Sequence, residues 1–438
     1  EVDWRNRVFL TTAVRGDDNS AFGAEYEAAF YPKVSATWVM HEEPFWKVDW
    51  VSSFRLRGAW GAAGKQPSTF AAVRLYGPVT GFGDQPGLAP TAIGNETLKP
   101  ERSEELELGF DLGLLNNRVE VLYTRYNRVV KDAMIGVPLA PSKGFTGTQI
   151  VNLGQVNGWG HELQVNAQLL TGRRVGWDMN FGVGTTRNEI KDLGPGRTAL
   201  GSGFSQHLVG FSIGDLYWRK VLSADFVSGT RGPVTNLMCD GGTGPSGREM
   251  GGSPVPCANA PLVRWGHSQP TWQMNLTQTL SLGQYVRLFV SVDGSGGNLQ
   301  LDSTDPANHT TYCSTRACRV QDDPIVMAYR ALGRNPLGIY EAGFLKLREV
   351  SGTYTLPRAV VAHVGARSGS FSLAMRNVMT LWTAQMGWNT PRAGNVVVPL
   401  GNGRVWDAET RGTGDLSTGY QTVMPPLATL IATVRMSF

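Results

Sequence analysis

No stretch of about 18 consecutive apolar residues occurs in the chain, so no membrane-spanning helix can be drawn. Net charge is small: 40 Lys and Arg against 36 Asp and Glu leave +4 over 438 residues. No basic block stands out, so a nucleic-acid-binding surface has no support. Histidine is scarce at 6, and the signatures of catalysis are missing. His161-Glu162 has no second His at zincin spacing, and Gly61 to Lys65 is too short for a phosphate loop and lacks the following Ser or Thr. No Gly-x-Ser-x-Gly elbow is present. No catalytic residue, cofactor or structural metal is expected. The chain opens at Glu1 without Met or a signal peptide and enters strand-like sequence at once. That start suggests a piece of a longer protein, although processing could also remove a beginning.

Cysteine is also sparse, at 4, and falls in two local pairs, Cys239 with Cys257 and Cys313 with Cys318. Both lie in stretches rich in Gly, Pro, Ser and Asp. Local disulfides in an oxidising compartment are the favoured reading. Free thiols or a metal site are the alternatives, and only His309 lies near Cys313 and Cys318. The crosslink 239–257 would contribute roughly 3 kcal/mol by loop closure.

What the chain has is alternation. Glycine (54) and tryptophan (13) are abundant. Leu106, Leu108, Phe110, Leu112 and Leu114 alternate with Glu105, Glu107, Gly109 and Asp111. Trp177, Met179, Phe181 and Val183 do the same, as do Leu163, Val165, Ala167 and Leu169. A strand turns its side chains to opposite faces at every step, so these stretches predict strands with one apolar face and one rich in Gln, Asn, Glu and Arg. About twelve are expected: 7–16, 33–41, 53–61, 103–115, 118–130, 160–171, 175–187, 270–281, 284–294, 343–356, 369–381 and 427–438. Tight turns at 115–117, 171–174 and 282–283 alternate with long stretches at 62–102, 131–159, 188–269, 295–342 and 382–426. Short turns on one side and long loops on the other describe an antiparallel transmembrane β-barrel with periplasmic turns and extracellular loops. Compact soluble domains rarely hold so many long loops. Arg125 falls on the apolar face of 118–130 and is expected near the outer rim.

The last strand ends at an aromatic. Leu430, Ala432, Val434, Met436 and Phe438 share a face. Outer-membrane barrels close in this way, which makes Phe438 a candidate assembly signal; an ordinary edge strand is the alternative. In lipid every backbone polar group must be paired, so the sheet must close, either on itself or with strands that precede Glu1.

Several segments, in order, resemble the C-terminal half of SusC/RagA-type TonB-dependent outer-membrane transporters. They are Val34 to Trp38 with Glu42 to Phe45; Phe54 to Gly58 with Gly61 and Gly64; and Leu98 to Glu101 followed by Glu105 to Asp111. Asn152 to Gly154, Asn157-Gly158 and Gly160 to Glu162 follow, then Phe344 to Val350 with Tyr354 to Pro357, and Arg376 to Val378 with Leu381 to Thr383. Departures occur at Gly387 to Pro391 and across 205–268. The resemblance implies that residues 1–438 form the C-terminal part of a barrel of about 22 strands. The N-terminal plug, the TonB-contacting segment and the first strands are absent. It also implies active import of an oligomeric nutrient, glycan or peptide, with a SusD-like lipoprotein lid, outer-membrane lipid around it and energy delivered through TonB. A passive porin-like or free-standing outer-membrane barrel is the alternative.

Aromatics divide by position. Phe45, Trp46, Trp177, Tyr285 and Phe438 lie beside the short turns, as an interfacial girdle would. Trp265, Trp388 and Trp406 lie in long loops, where indoles can stack on sugar or peptide groups or pack the loops themselves. Asp293, Asn298, Asp302 and Asp305 offer oxygen ligands but fit no calcium loop, and a solvated acidic loop is the better reading.

Overall fold

The structure is a computed structural model that describes residues 1–18, 28–138, 148–201, 205–227, 231–302, 323–333, 339–384, 418–419 and 426–438. One antiparallel sheet of 13 strands dominates it. Its strands are β1 (Val2–Trp4), β2 (Val8–Asp17), β3 (Ala29–Val39), β4 (Val51–Lys65), β5 (Glu101–Leu114), β6 (Val119–Lys131) and β7 (Gln155–Thr171). β8 (Val175–Asp192), β9 (Trp272–Leu282), β10 (Val286–Gly296), β11 (Phe344–Thr355), β12 (Ser368–Thr383) and β13 (Thr429–Ser437) complete it. Sequence order is spatial order, so each strand pairs with the next along the chain.

All twelve expected strands are present, and the count is corrected to 13 by β1. It spans 3 residues, too few for alternation to show. It pairs Trp4 with Val8 across a turn in which Arg5 and Asn6 take positive φ. The connection at 356–367 carries a short helix, α1 (Arg358–Ala362).

The chain divides into two compact units. In the first, the ladder fixes the two faces. Leu108 opposes Arg125 and Gly58, while its neighbour Glu107 opposes Tyr126 and Ala59. Leu108 is 54% exposed on the apolar face, as a lipid-facing residue should be. An aromatic row crosses that face near the short turns: Trp46 stacks on Phe54 at 5.5 Å, Phe54 meets Phe110 at 6.1 Å, and Phe110 meets Tyr123 at 5.4 Å. The opposite face is polar and cross-linked. Arg57 donates to Asp111 at 3.0 Å and to Thr124 at 2.7 Å, and Arg128 pairs with Glu105. Arg125 is the seventh residue of β6, which runs on to Lys131. The next residue on its face is Asn127, also polar.

Two segments that carry the family resemblance prove to be one device. Asn152 accepts from the backbone N–H of Lys99 at 2.8 Å and donates to the Lys99 carbonyl at 2.7 Å. Beside it, fully buried Leu98 anchors the entry to β5. Gly154 has φ +94, and a Cβ there would stand 2.6 Å from the Asp192 carbonyl, so glycine is required.

In the second unit the same two-faced pattern holds. Leu288, Gly352, Leu373 and Ala432 lie in one cross-strand row on the apolar face. Arg287, Thr353, Ser372 and Thr433 form the polar row beside it, with a hydrogen bond of 2.9 Å between the Thr353 and Ser372 hydroxyls. Bulges at Ser291/Val292 and Leu347/Glu349 put Arg348 within reach of Asp293.

Candidate functional site

The long loops on the outer side carry structure of their own, and the second unit's loops form a packed platform. Strands 221–226 and 234–240 pair as a hairpin, and 254–256 adds a third strand. Cys239, on strand 234–240, and Cys257, just past strand 254–256, are joined by a disulfide, Cα to Cα 4.8 Å. Against them packs α2 (Pro324–Ala331). Its start follows local chemistry: Pro324 opens it, and the Asp323 carboxylate caps it by accepting from Ile325 N at 2.8 Å. Its buried face presents Val326, Ala328 and Tyr329 to Val221, Ala224 and the disulfide. The Tyr329 hydroxyl accepts the Val221 N–H at 3.0 Å. Burial raises the Tyr329 phenol far above its ordinary pKa, so it stays neutral. Next to the disulfide, buried Asp240 accepts backbone N–H bonds from Gly242, Gly251 and Gly252 at 2.8–2.9 Å and so shapes the whole 240–252 loop.

A second cluster holds Leu216, Trp265, Leu299 and Ile339. Fully buried Asp215 accepts from Arg264 at 2.5 Å and pairs with His267 at 3.1 Å, an anchor for strand 263–266. His207 accepts from Gly214 N at 3.0 Å, which needs an unprotonated Nδ1. Desolvation lowers the His207 pKa, an effect Asp215 partly offsets.

Above the outer ends of β9 to β12 lies a cavity of about 610 Å³. Indoles of Trp265, Trp272 and Trp382 line it together with Arg264, Asn298 and Glu341. Trp265 therefore touches the cavity, but it is only 4% exposed and its Nε1 donates to the Trp218 carbonyl at 3.2 Å. It holds the loop together and offers little surface to a ligand. Trp388, Trp406, Cys313 and Cys318 lie outside the described residues. Phe438 follows β13 and is 72% exposed on the apolar edge.

The acidic quartet is corrected. Asp293 belongs to β10 and is paired with Arg348, Asn298 is buried, and Asp305 lies outside the described residues. No cluster of potential metal ligands occurs among the described residues. Trp272 and Trp382 are lining residues that sequence reasoning missed, and Asn298, read there as an oxygen ligand, lines the cavity. The two tryptophans sit at strand ends and read there only as strand residues.

Comparisons with known proteins agree with this architecture. The profile of a family described as "TonB dependent receptor-like, beta-barrel" matches residues 1–308. TonB-dependent receptor P3 of Formosa agariphila is 24% identical over 407 residues, covering 86% of this chain and 40% of that protein. TonB-dependent receptor SusC of Bacteroides thetaiotaomicron is 28% identical over 198 residues, covering 43% of this chain and 20% of that protein. The solved RagAB peptide importer in its open-open state superposes with TM-score 0.73 at 18% identity, covering 100% of this chain and 46% of that chain. The chain thus spans less than half the length of each. The chain belongs to the TonB-dependent receptor β-barrel family, as an integral outer-membrane protein of the SusC/RagA type.

Proposed function

We propose that residues 1–438 are the C-terminal wall and part of the outer platform of an active importer, with the plug and the first strands supplied by preceding sequence. The nutrient is an oligomer, glycan or peptide. A SusD-like lipoprotein covers the platform, and TonB drives the cycle through the missing N-terminal region. No step of this work requires a catalytic residue.

The observation that carries the reading is the pairing of a two-faced sheet with a stapled outer platform. The polar face, with Arg57–Asp111, Arg128–Glu105 and Arg376–Glu349, suits a hydrated lumen. The platform, held by Cys239–Cys257, the Asp240 clamp and the α2 contact, gives a lid protein a fixed surface. A passive pore needs no such platform. Peptide import is supported by the RagAB likeness, and glycan import is what the family resemblance of the sequence implies. In this reading Trp388 and Trp406 stack on substrate, and Trp265 holds its own loop together.

The test is uptake of labelled oligosaccharide and oligopeptide pools by cells carrying the full-length transporter, with TonB present or absent. The importer reading predicts uptake that ceases without TonB. Uptake that continues unchanged would make the barrel a passive pore. Trp388→Ala and Trp406→Ala should lower uptake with assembly intact; unchanged uptake removes those two residues from the substrate path.

A further inference from the structure

The inner ends of the second unit's strands carry charge of one sign. Stretches 171–177, 280–290, 352–375 and 433–438 make up these ends and the connections between them. They hold six arginines, Arg173, Arg174, Arg287, Arg358, Arg367 and Arg435, and no Asp or Glu. All six are exposed, and none forms an ion pair among the described residues. The first unit differs. Its inner connection at 40–50 carries Glu42, Glu43 and Asp49, and Arg7 is paired with Glu43 at 3.3 Å.

The strand ladder sorts the six. Arg287 opposes Thr353 and Arg435 opposes Ser370, so both stand on the polar face that lines the lumen. The other four lie on connections. Arg173 and Arg174 link β7 to β8, and Arg358 and Arg367 bracket α1 between β11 and β12. Backbone bonds hold both connections to the rim. The Arg174 carbonyl accepts from Gly283 N at 2.8 Å, and Arg367 N donates to the Ser437 carbonyl at 2.6 Å.

An aromatic row sets their depth. Trp177, Tyr354 and Phe371 lie on the apolar face close to the inner strand ends. Trp177 opposes Leu280, Tyr354 opposes Phe371, and the Tyr354 ring meets Tyr285 at 6.3 Å. Such rows mark the membrane interface of outer-membrane barrels. The four arginines are three or four residues from the row, on the side away from the strands, which places them among the headgroups. Between Arg358 and Arg367, Val360 and Val364 are exposed while Val361 is buried. Bare valines beside cations suit a surface laid against a headgroup layer.

We propose that this rim is a docking surface for anionic phospholipid of the inner leaflet. A guanidinium donates in a planar fork that fits a phosphate and keeps its charge at any physiological pH. Clusters of roughly four to eight basic residues beside a membrane span are the pattern of anionic-lipid recognition. Here four lie on the connections with no carboxylate side chain to neutralise them. A zwitterionic headgroup brings its own cation, which the same charges repel. The aromatic row and the exposed valines favour a lipid over an acidic periplasmic protein.

The experiment uses the full-length transporter in nanodiscs and counts the lipid it retains by native mass spectrometry. The probes are phosphatidylglycerol and phosphatidylethanolamine with the same acyl chains, and glycerol phosphate, which has the headgroup chemistry without the chains. Wild-type protein should retain phosphatidylglycerol over phosphatidylethanolamine, and glycerol phosphate should not displace it. Replacing Arg173, Arg174, Arg358 or Arg367 singly by Gln should lower that retention about fivefold each, the worth of one cation at an anionic surface. Arg287→Gln, on the lumen face, should leave it unchanged, and heat-modifiable migration should be the same in every variant. No preference in the wild type, or an equal loss in Arg287→Gln, would overturn the proposal. Displacement by glycerol phosphate would overturn the lipid assignment and make the rim a free-anion site. Full retention after all four arginines are replaced would overturn it in favour of an acidic protein partner.

Discussion

Replacing Tyr329 by Phe removes one oxygen from the centre of the outer platform. Tyr329 is fully buried, and its hydroxyl is the partner of the Val221 backbone N–H at 3.0 Å. Val221 is itself fully buried, so water cannot take the place of the lost acceptor. A buried donor left unpaired costs about 1–3 kcal/mol. The ring remains, so the larger cost of about 3–5 kcal/mol for full truncation does not apply. Tyr329→Phe should therefore raise local opening of the platform about 5- to 150-fold. Hydrogen exchange of the full-length transporter reads this directly. Amides in 221–226 and 234–240 should lose protection by that factor, while β9 to β12 keep theirs, because the contact touches only the platform. Unchanged exchange at 221–226, or an equal loss across β9 to β12, would refute the reasoning.

Other consequences follow from single contacts. Leu373→Arg places a charge on the lipid face and should lower the heat-modifiable, assembled fraction by a cost of about 2–4 kcal/mol, whereas Ser372→Arg one residue away should cost about 1 kcal/mol for its lost hydrogen bond to Thr353. The pKa of His207 is lowered on folding, so the native state binds fewer protons than the unfolded chain near the ordinary value of 6.5. Its contribution to stability is complete above that value and is lost as pH falls through the lower folded one. Exchange at Gly214 should therefore rise on acidification, and His207→Gln should flatten that profile. Phe438→Lys should reduce insertion into the outer membrane by pulse labelling, with normal insertion showing the aromatic to be incidental.

The fold is legible in the sequence because a membrane barrel writes itself in period two. The alternation from Leu106 to Leu114 and from Leu430 to Phe438 assigns each apolar set to a single face, and the ladder keeps it there. Two things are not legible. β1 is too short to show a period. The platform is hidden because its contacts are non-local: Tyr329 meets Val221 across 108 residues, and Asp215 meets Arg264 across 49. Composition shows a Gly-rich loop with two cysteines, and nothing in the spacing announces the helix that packs on them. Trp265 illustrates the limit in the other direction. A loop tryptophan invites a role in binding, and this one is a core residue of its loop.

The central claim is that the sheet separates lipid from a hydrated lumen, one face each. Spin labels placed singly from Ser370 to Arg376 in the full-length transporter in native outer membrane test it most directly. Accessibility to oxygen should peak at Phe371, Leu373 and Met375, and accessibility to a water-soluble nickel chelate at Ser370, Ser372 and Ala374. A profile without that two-residue period, or with the two sets exchanged, would contradict the account.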